Sequence, residues 1–208
     1  MQWQDSAELE SEGRARILHA AYPLFVENGY KAVSMQQIAN AATIHKATLY
    51  HHFQNKDELF GSVVQLALTQ LRAEVTAIVE QGGSPREQLI AAASQAFSRT
   101  QSDFGRLMTD LHENIAPDMR NEILKEKPLP WELFASIIQR VIDEEQITGI
   151  TANLATSLFI GMVWGQIWMR KAAWTSCPLD HQLATTIVDI LFDGLRGLSS
   201  TSSADDDV

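Results

Sequence analysis

Residues 14–60 read RARILHAAYPLFVENGYKAVSMQQIANAATIHKATLYHHFQNKDELF, and the reading of this stretch decides the fold. Ile17, Leu18, Ala21, Leu24 and Phe25 recur at helical spacing, which predicts a first helix from about Ser11 to Asn28, stopped by Gly29. Pro23 falls inside it, removes a hydrogen bond to His19 and should bend the axis. Ser34 with Gln37 three residues on forms a capping box, and Met35, Ile38, Ala39 and Ala42 then mark one buried face of a second helix. Residues 42–45 make a turn. A third helix covers about 45–53, and Asn55 with Glu58 caps a fourth. Two short helices joined by a tight turn behind a longer one are the layout of a helix-turn-helix DNA reader.

Winding the third helix at 3.6 residues per turn puts Leu49 and Phe53 on the side facing the first two helices. Ala47 and His51 project opposite, with Thr48 and Tyr50 on the flanks. Ala47 lets the backbone approach a groove. Thr48 and Tyr50 can donate to phosphate oxygens, and His51 can reach base edges or phosphate. Lys56 offers a point charge to the DNA backbone, and the amides following Ser34 offer oriented N–H groups.

Working outward, the fourth helix is expected to run to Glu80 with Leu59, Val63, Leu66, Val75 and Ile78 inward. Gly82-Gly83 breaks it, and Ser84-Pro85-Arg86-Glu87 opens another helix with a cap, a first-position proline and a box glutamate, running to about Thr100. A shorter helix spans about 103–115, where Pro117 interrupts. Lys127-Pro128-Leu129-Pro130 reads as a loop. Further helices cover Trp131 to Glu145, about 152–174 and about 180–197. The domain reading is a head over 1–60, ordered from about 11, a helical body over 61–198, and a polar, disordered tail over 199–208.

Composition agrees with an all-α chain. Pro and Gly are scarce among 208 residues, and 45% are hydrophobic. The lone Cys177 forbids an intrachain disulfide, and a reducing cytoplasm fits best. The acidic N-terminus MQWQDSAELESEG does not read as a signal peptide. Net charge is −10, which argues against a nucleic-acid binder, yet residues 14–60 carry five Lys/Arg against three Asp/Glu and four of the six histidines. The head is weakly basic, so the motif carries the inference.

Phe25 and Gly29-Tyr30 closing helix one, Ser34-Met35-Gln36-Gln37-Ile38-Ala39, Thr48-Leu49-Tyr50, His52-Phe53, and Lys56 with Leu59 and Phe60 together resemble the DNA-binding domain of the tetracycline-repressor (TetR) family. The resemblance implies that Thr48, Tyr50, His52 and Lys56 touch phosphates and that His45, Lys46, Ala47 and His51 lie near bases; Ser34 and Gln36 complete the expected DNA surface. The turn departs from the family's usual Ala-Gly-Val-Ser. Thr43 stands where glycine is usual, which implies a different backbone angle or strain. His45 replaces a hydroxyl cap, and Ala47 a frequent glycine.

The resemblance further implies that the last two helices pair with those of a second copy, giving a homodimer that addresses a palindromic double-stranded operator. The body would hold a small-molecule effector, and effector binding would favour an orientation of helix four that spreads the two heads. Leu154, Leu158, Phe159, Gly161, Met162, Gly165, Ile167 and Trp168 make the penultimate helix apolar nearly all round, but Asn153, Thr156, Ser157, Gln166 and Arg170 leave too short a run for a membrane span. Phe97, Phe104, Met108, Trp131, Phe134, Trp164 and Trp168 are the expected walls of an apolar or aromatic effector's pocket, with His112, Asn114 and Gln166 as polar candidates. Core packing is the competing explanation for each. There is no Gly-rich phosphate loop, no G-x-S-x-G and no metal-ligand spacing, so neither an enzyme, a metal nor a cofactor is expected. The rival reading is a helical scaffold that binds no specific DNA.

Overall fold

The computed structural model describes residues 2–98, 104–126 and 130–202. Among them are ten helices and no strand: α1 (Gln2–Ala32), α2 (Met35–Ala41), α3 (Lys46–His52), α4 (Lys56–Glu80), α5 (Pro85–Ser98), α6 (Phe104–Asn114), α7 (Pro117–Glu126), α8 (Trp131–Glu144), α9 (Ala152–Lys171) and α10 (His181–Ser202).

The helices sort into two compact units. The first holds α1–α3, α4 as far as Gln70, α6 and α7; the second holds α4 from Leu71, α5 and α8–α10. The expected head ended at residue 60 and left α6 and α7 to the body. Instead, Leu107, Leu111, Ile115 and Ile123 are buried in the same core as Ile17, Phe25, Ile38, Leu49, Phe53 and Phe60. The second core is built from Leu89, Phe97, Ile138, Val141, Phe159, Val188 and Leu191, with α8 and α10 each packed on α5 and α9.

Several boundaries differ from the sequence reading for physical reasons. α1 begins at Gln2 rather than near Ser11. The regular helix does stop at Gly29, whose φ of 80° and ψ of 164° are not helical. Pro117 starts α7 rather than interrupting its predecessor, because a first-turn proline gives up only an N–H that has no partner there. Leu66 is half-buried, since the buried row of α4 runs through Phe60, Val63, Val64, Ala67 and Leu68 instead. α10 extends to Ser202, into the expected tail. Residues 203–208 and the end of the expected helix at Thr100 lie outside the described residues, as do residues 127–129 of the expected loop.

The capping expectations hold. The Ser34 hydroxyl accepts from the Gln37 amide at 3.3 Å while the Gln37 side chain accepts from the Ser34 amide at 2.8 Å. The Asn55 side chain accepts from the Glu58 amide at 2.8 Å, and Ser84 with Glu87 repeats the reciprocal box.

Candidate nucleic-acid interface

The turn between α2 and α3 is fixed by backbone geometry. The Ile44 amide donates to the Ala39 carbonyl at 3.0 Å and the Thr43 amide to the Asn40 carbonyl at 3.1 Å. This pair of bonds requires a left-handed residue at Thr43, and its φ is 56°. The missing glycine thus leaves the backbone angle as it is and imposes strain on a β-branched residue, of about 1 kcal/mol. His45 takes the extended cap conformation before α3 but makes no side-chain cap bond.

α3 is held by its inner face and its C-terminal end. Leu49 and Phe53 are fully buried in the first core. The Arg14 guanidinium lies 4.1 Å from the centre of the Phe53 ring and donates to the His52 carbonyl at 2.9 Å and to the Ser62 hydroxyl at 3.0 Å. That leaves Lys46, Ala47, Thr48, Tyr50 and His51 exposed on one continuous face, with Tyr50 45% accessible. The Lys46 ammonium sits 5.8 Å from the Tyr50 ring centre, a loose cation–π pair that leaves its donors available. His45, Ser34 and Gln36 are exposed beside this face, although the Gln36 amide also donates to the Asn40 side chain at 3.0 Å. His52 is half-buried, with its ring edge-on to His51 at 5.6 Å.

Lys56 is placed differently from the other expected contacts. Its ammonium donates to the Tyr30 carbonyl at 2.9 Å and to the Val33 carbonyl at 3.0 Å, and it lies 4.2 Å from the Tyr30 ring centre. Tyr30 in turn donates its hydroxyl to Asp57 and its amide to Asp110 at 2.8 Å. Burial, then the Asp57 carboxylate, push the Tyr30 phenol well above its ordinary range, so it stays a donor. Arg106 donates to the Glu27 carbonyl at 3.1 Å and fills the space where a side chain on Gly29 would stand. Sequence reasoning gave no role to Arg14, Arg106 or Asp110. Asp110 lies 80 positions from Tyr30, and no periodicity connects them.

The expected effector-site residues divide between the two units. Phe104 and Met108 pack on the first core, and exposed His112 meets Arg120 at 2.9 Å through its ring nitrogen. Asn114 bonds back to Asp110 on its own helix. The other six, Gln166 among them, lie in the second unit. Phe97 is buried, Phe134 meets Phe159 at 5.8 Å between ring centres, and Trp164 packs against that core. The Trp131 indole donates to Asn153 at 3.2 Å. Trp168, in contrast, stands on the outer face of α9, 57% accessible, edge-on to Trp174 at 4.7 Å. Trp174 is itself 69% accessible and is held by a left-handed Ala173 (φ 56°) and a bond from its amide to the Met169 carbonyl at 3.0 Å.

Among the described residues no helix is long and apolar enough to cross a membrane, and no three His, Cys, Asp or Glu side chains cluster as metal ligands would.

Residues 17–63 match the family of bacterial regulatory proteins described as the tetR family. The chain is similar to the transcriptional repressor DhaR of Mycobacterium sp. (strain GP1), at 26% identity over 197 residues covering 91% of this chain and 97% of that one. Among solved structures it is similar to AibR in complex with isovaleryl coenzyme A and operator DNA, at 26% identity and a TM-score of 0.66, covering 86% of this chain and 98% of that one. The regulator FadR from Bacillus subtilis, solved with stearoyl-CoA, has the same fold at 22% identity and a TM-score of 0.71, covering 86% and 98%.

Proposed function

This chain belongs to the TetR family of bacterial regulators, and from that premise we propose that it represses transcription as a homodimer on a palindromic operator and is released by an acyl-CoA thioester. The observation that carries DNA binding is the α3 face, where Lys46, Ala47, Thr48, Tyr50 and His51 are exposed together while Leu49 and Phe53 anchor the helix from behind. A helix so presented fits a major groove. Repression is supported by the likeness to DhaR, and the effector class by AibR, which binds both isovaleryl coenzyme A and DNA. The chain would work in the cytoplasm, where its DNA is.

Dimerisation is supported by an exposed, largely apolar stripe on the last two helices. Leu154, Leu158, Gly161, Gly165 and Trp168 succeed one another at intervals of four and three along α9, and all are exposed except half-exposed Gly165. On α10, Ile190 is 59% accessible beside exposed Gly194. A Cβ on Gly161, Gly165 or Gly194 would meet nothing within 4 Å, so these faces are open to close approach by another helix. Such a pairing buries the same surface on both copies. It would set two reading helices about 34 Å apart, one turn of DNA.

The test is a titration of the full chain onto the duplex upstream of its own gene, at several salt concentrations, with isovaleryl-CoA, stearoyl-CoA and free coenzyme A as competitors. Salt-sensitive, sequence-selective binding undone by a thioester but not by free coenzyme A is expected. Selective binding indifferent to both thioesters would reject the effector class, and absence of any selective complex would reject the regulator.

A further inference from the structure

Behind the exposed face of α3, polar contacts of the first unit converge on one residue, Tyr30. The Tyr30 amide donates to Asp110 of α6 at 2.8 Å, and the Tyr30 carbonyl accepts from Lys56 of α4 at 2.9 Å. The same ammonium reaches the Val33 carbonyl at 3.0 Å and rests 4.2 Å from the Tyr30 ring centre. That ring is packed edge-on against Phe60 at 5.1 Å, and its hydroxyl is bonded to Asp57. Tyr30 follows the left-handed Gly29 and precedes the Ser34 cap, so its position sets where α2 starts and, through the turn, where α3 points.

An ammonium has three N–H donors. Two are engaged by carbonyls here, and the face of the Tyr30 ring covers a further side of the charge. Little remains to offer a phosphate. We infer that Lys56 and Asp110 are positioning residues for operator binding, which hold Tyr30 from two sides and fix the presentation of α2 and α3 without touching DNA. This rests on the regulator reading above and departs from the expectation that Lys56 is a phosphate contact.

Asp110 makes the inference sharp, because electrostatics alone gives the opposite sign. Removing a carboxylate from a DNA-binding unit lessens repulsion and should tighten binding. Positioning demands that binding weaken. The charge-neutral Asn at this site keeps an oxygen that accepts from the Tyr30 amide, so it should restore binding where Ala does not.

The experiment is fluorescence anisotropy of the labelled upstream duplex with full-length wild type, Asp110→Ala, Asp110→Asn, Lys56→Met, Lys56→Arg and Lys46→Met over a range of salt. Asp110→Ala should lose about tenfold or more in affinity, through loss of preorganisation. Asp110→Asn should stay within about threefold of wild type, since it keeps an acceptor for the Tyr30 amide and gives up only the bond from Asn114, and Lys56→Arg, whose guanidinium can donate to the same two carbonyls, should do likewise. Lys56→Met should weaken binding at every salt concentration with an unchanged dependence on salt, whereas Lys46→Met should lower the logarithmic salt slope by about one. Tighter or equal binding by Asp110→Ala, or a slope reduced by about one in Lys56→Met, overturns the inference. If Lys56→Met does not fold, the Asp110 pair and Lys56→Arg still decide it. A wild-type chain that forms no selective complex overturns the regulator reading first, and this inference with it.

Discussion

The Arg14 guanidinium donates to the His52 carbonyl at 2.9 Å, so α1 grips the last residue of the reading helix from 38 positions away. The same group covers the Phe53 ring and reaches Ser62. Arg14→Ala should therefore cost about 1–2 kcal/mol of stability, from a lost charge-assisted bond and lost packing. It should also weaken operator binding. Arg14→Lys should recover only part, because an ammonium cannot fork between His52 and Ser62 while lying flat on Phe53. Chemical denaturation and operator titration of the two variants check this; equal behaviour of both with wild type would contradict it.

Two turns of the head respond oppositely to glycine. Thr43 holds φ at 56°, where a β-branched residue is strained, so Thr43→Gly should leave stability unchanged or raise it by up to about 1 kcal/mol, the relief outweighing the entropy of a freer unfolded chain. Gly29 has φ at 80° with the Arg106 guanidinium 2.7 Å from the place of a Cβ. Gly29→Ala should cost about 1–2 kcal/mol, mostly backbone strain, since the arginine tip can move aside. Thermal melts of both variants read the contrast.

The acid side of the stability profile is set in part by two helix-end carboxylates. Hydrogen bonds from Arg196 hold Glu145 below its ordinary value of 4.5. Bonds from the Ser84 amide and then its hydroxyl do the same for Glu87. With the folded value depressed, the unfolded chain takes up these protons first as pH falls. Their contribution is thus fully present above 4.5 and is lost as pH drops through the lower folded values. Both groups are largely solvated, so the effect is small. A Glu87→Gln, Glu145→Gln chain should show a shallower fall in melting temperature below that pH than wild type; an identical fall would count against it.

The open stripe on α9 and α10 predicts that charge placed there separates two copies. Leu158→Glu or Ile190→Glu should turn a dimer into a monomer by light scattering and abolish high-affinity operator binding. The fold of a single copy should be untouched, because neither side chain is buried within it. A dimer that survives both substitutions would place the pairing elsewhere.

Local signals explain what the sequence made legible. Ser34 with Gln37, Asn55 with Glu58 and Ser84 with Glu87 announce helix starts because capping acts over three residues. Leu49 and Phe53 announce the inner face of α3 through spacing alone. The fate of Lys56 was not legible, since whether an ammonium faces a phosphate or two carbonyls depends on where α1 ends relative to α4. Nor was the attachment of α6 to the head, which turns on Asp110 and Arg106 meeting residues some 80 positions away. The division of the effector-wall residues between two cores was not legible because an aromatic at helical spacing looks the same in sequence whichever core receives it, as Phe104 and Phe97 do.

The indole pair at the end of α9 gives the molecule a built-in optical reporter. Trp174 is locked beside Trp168 by the left-handed Ala173, and both rings now meet water. If copies join along this edge, the rings are dried, and intrinsic emission shifts to shorter wavelength as the protein is concentrated, with no label attached.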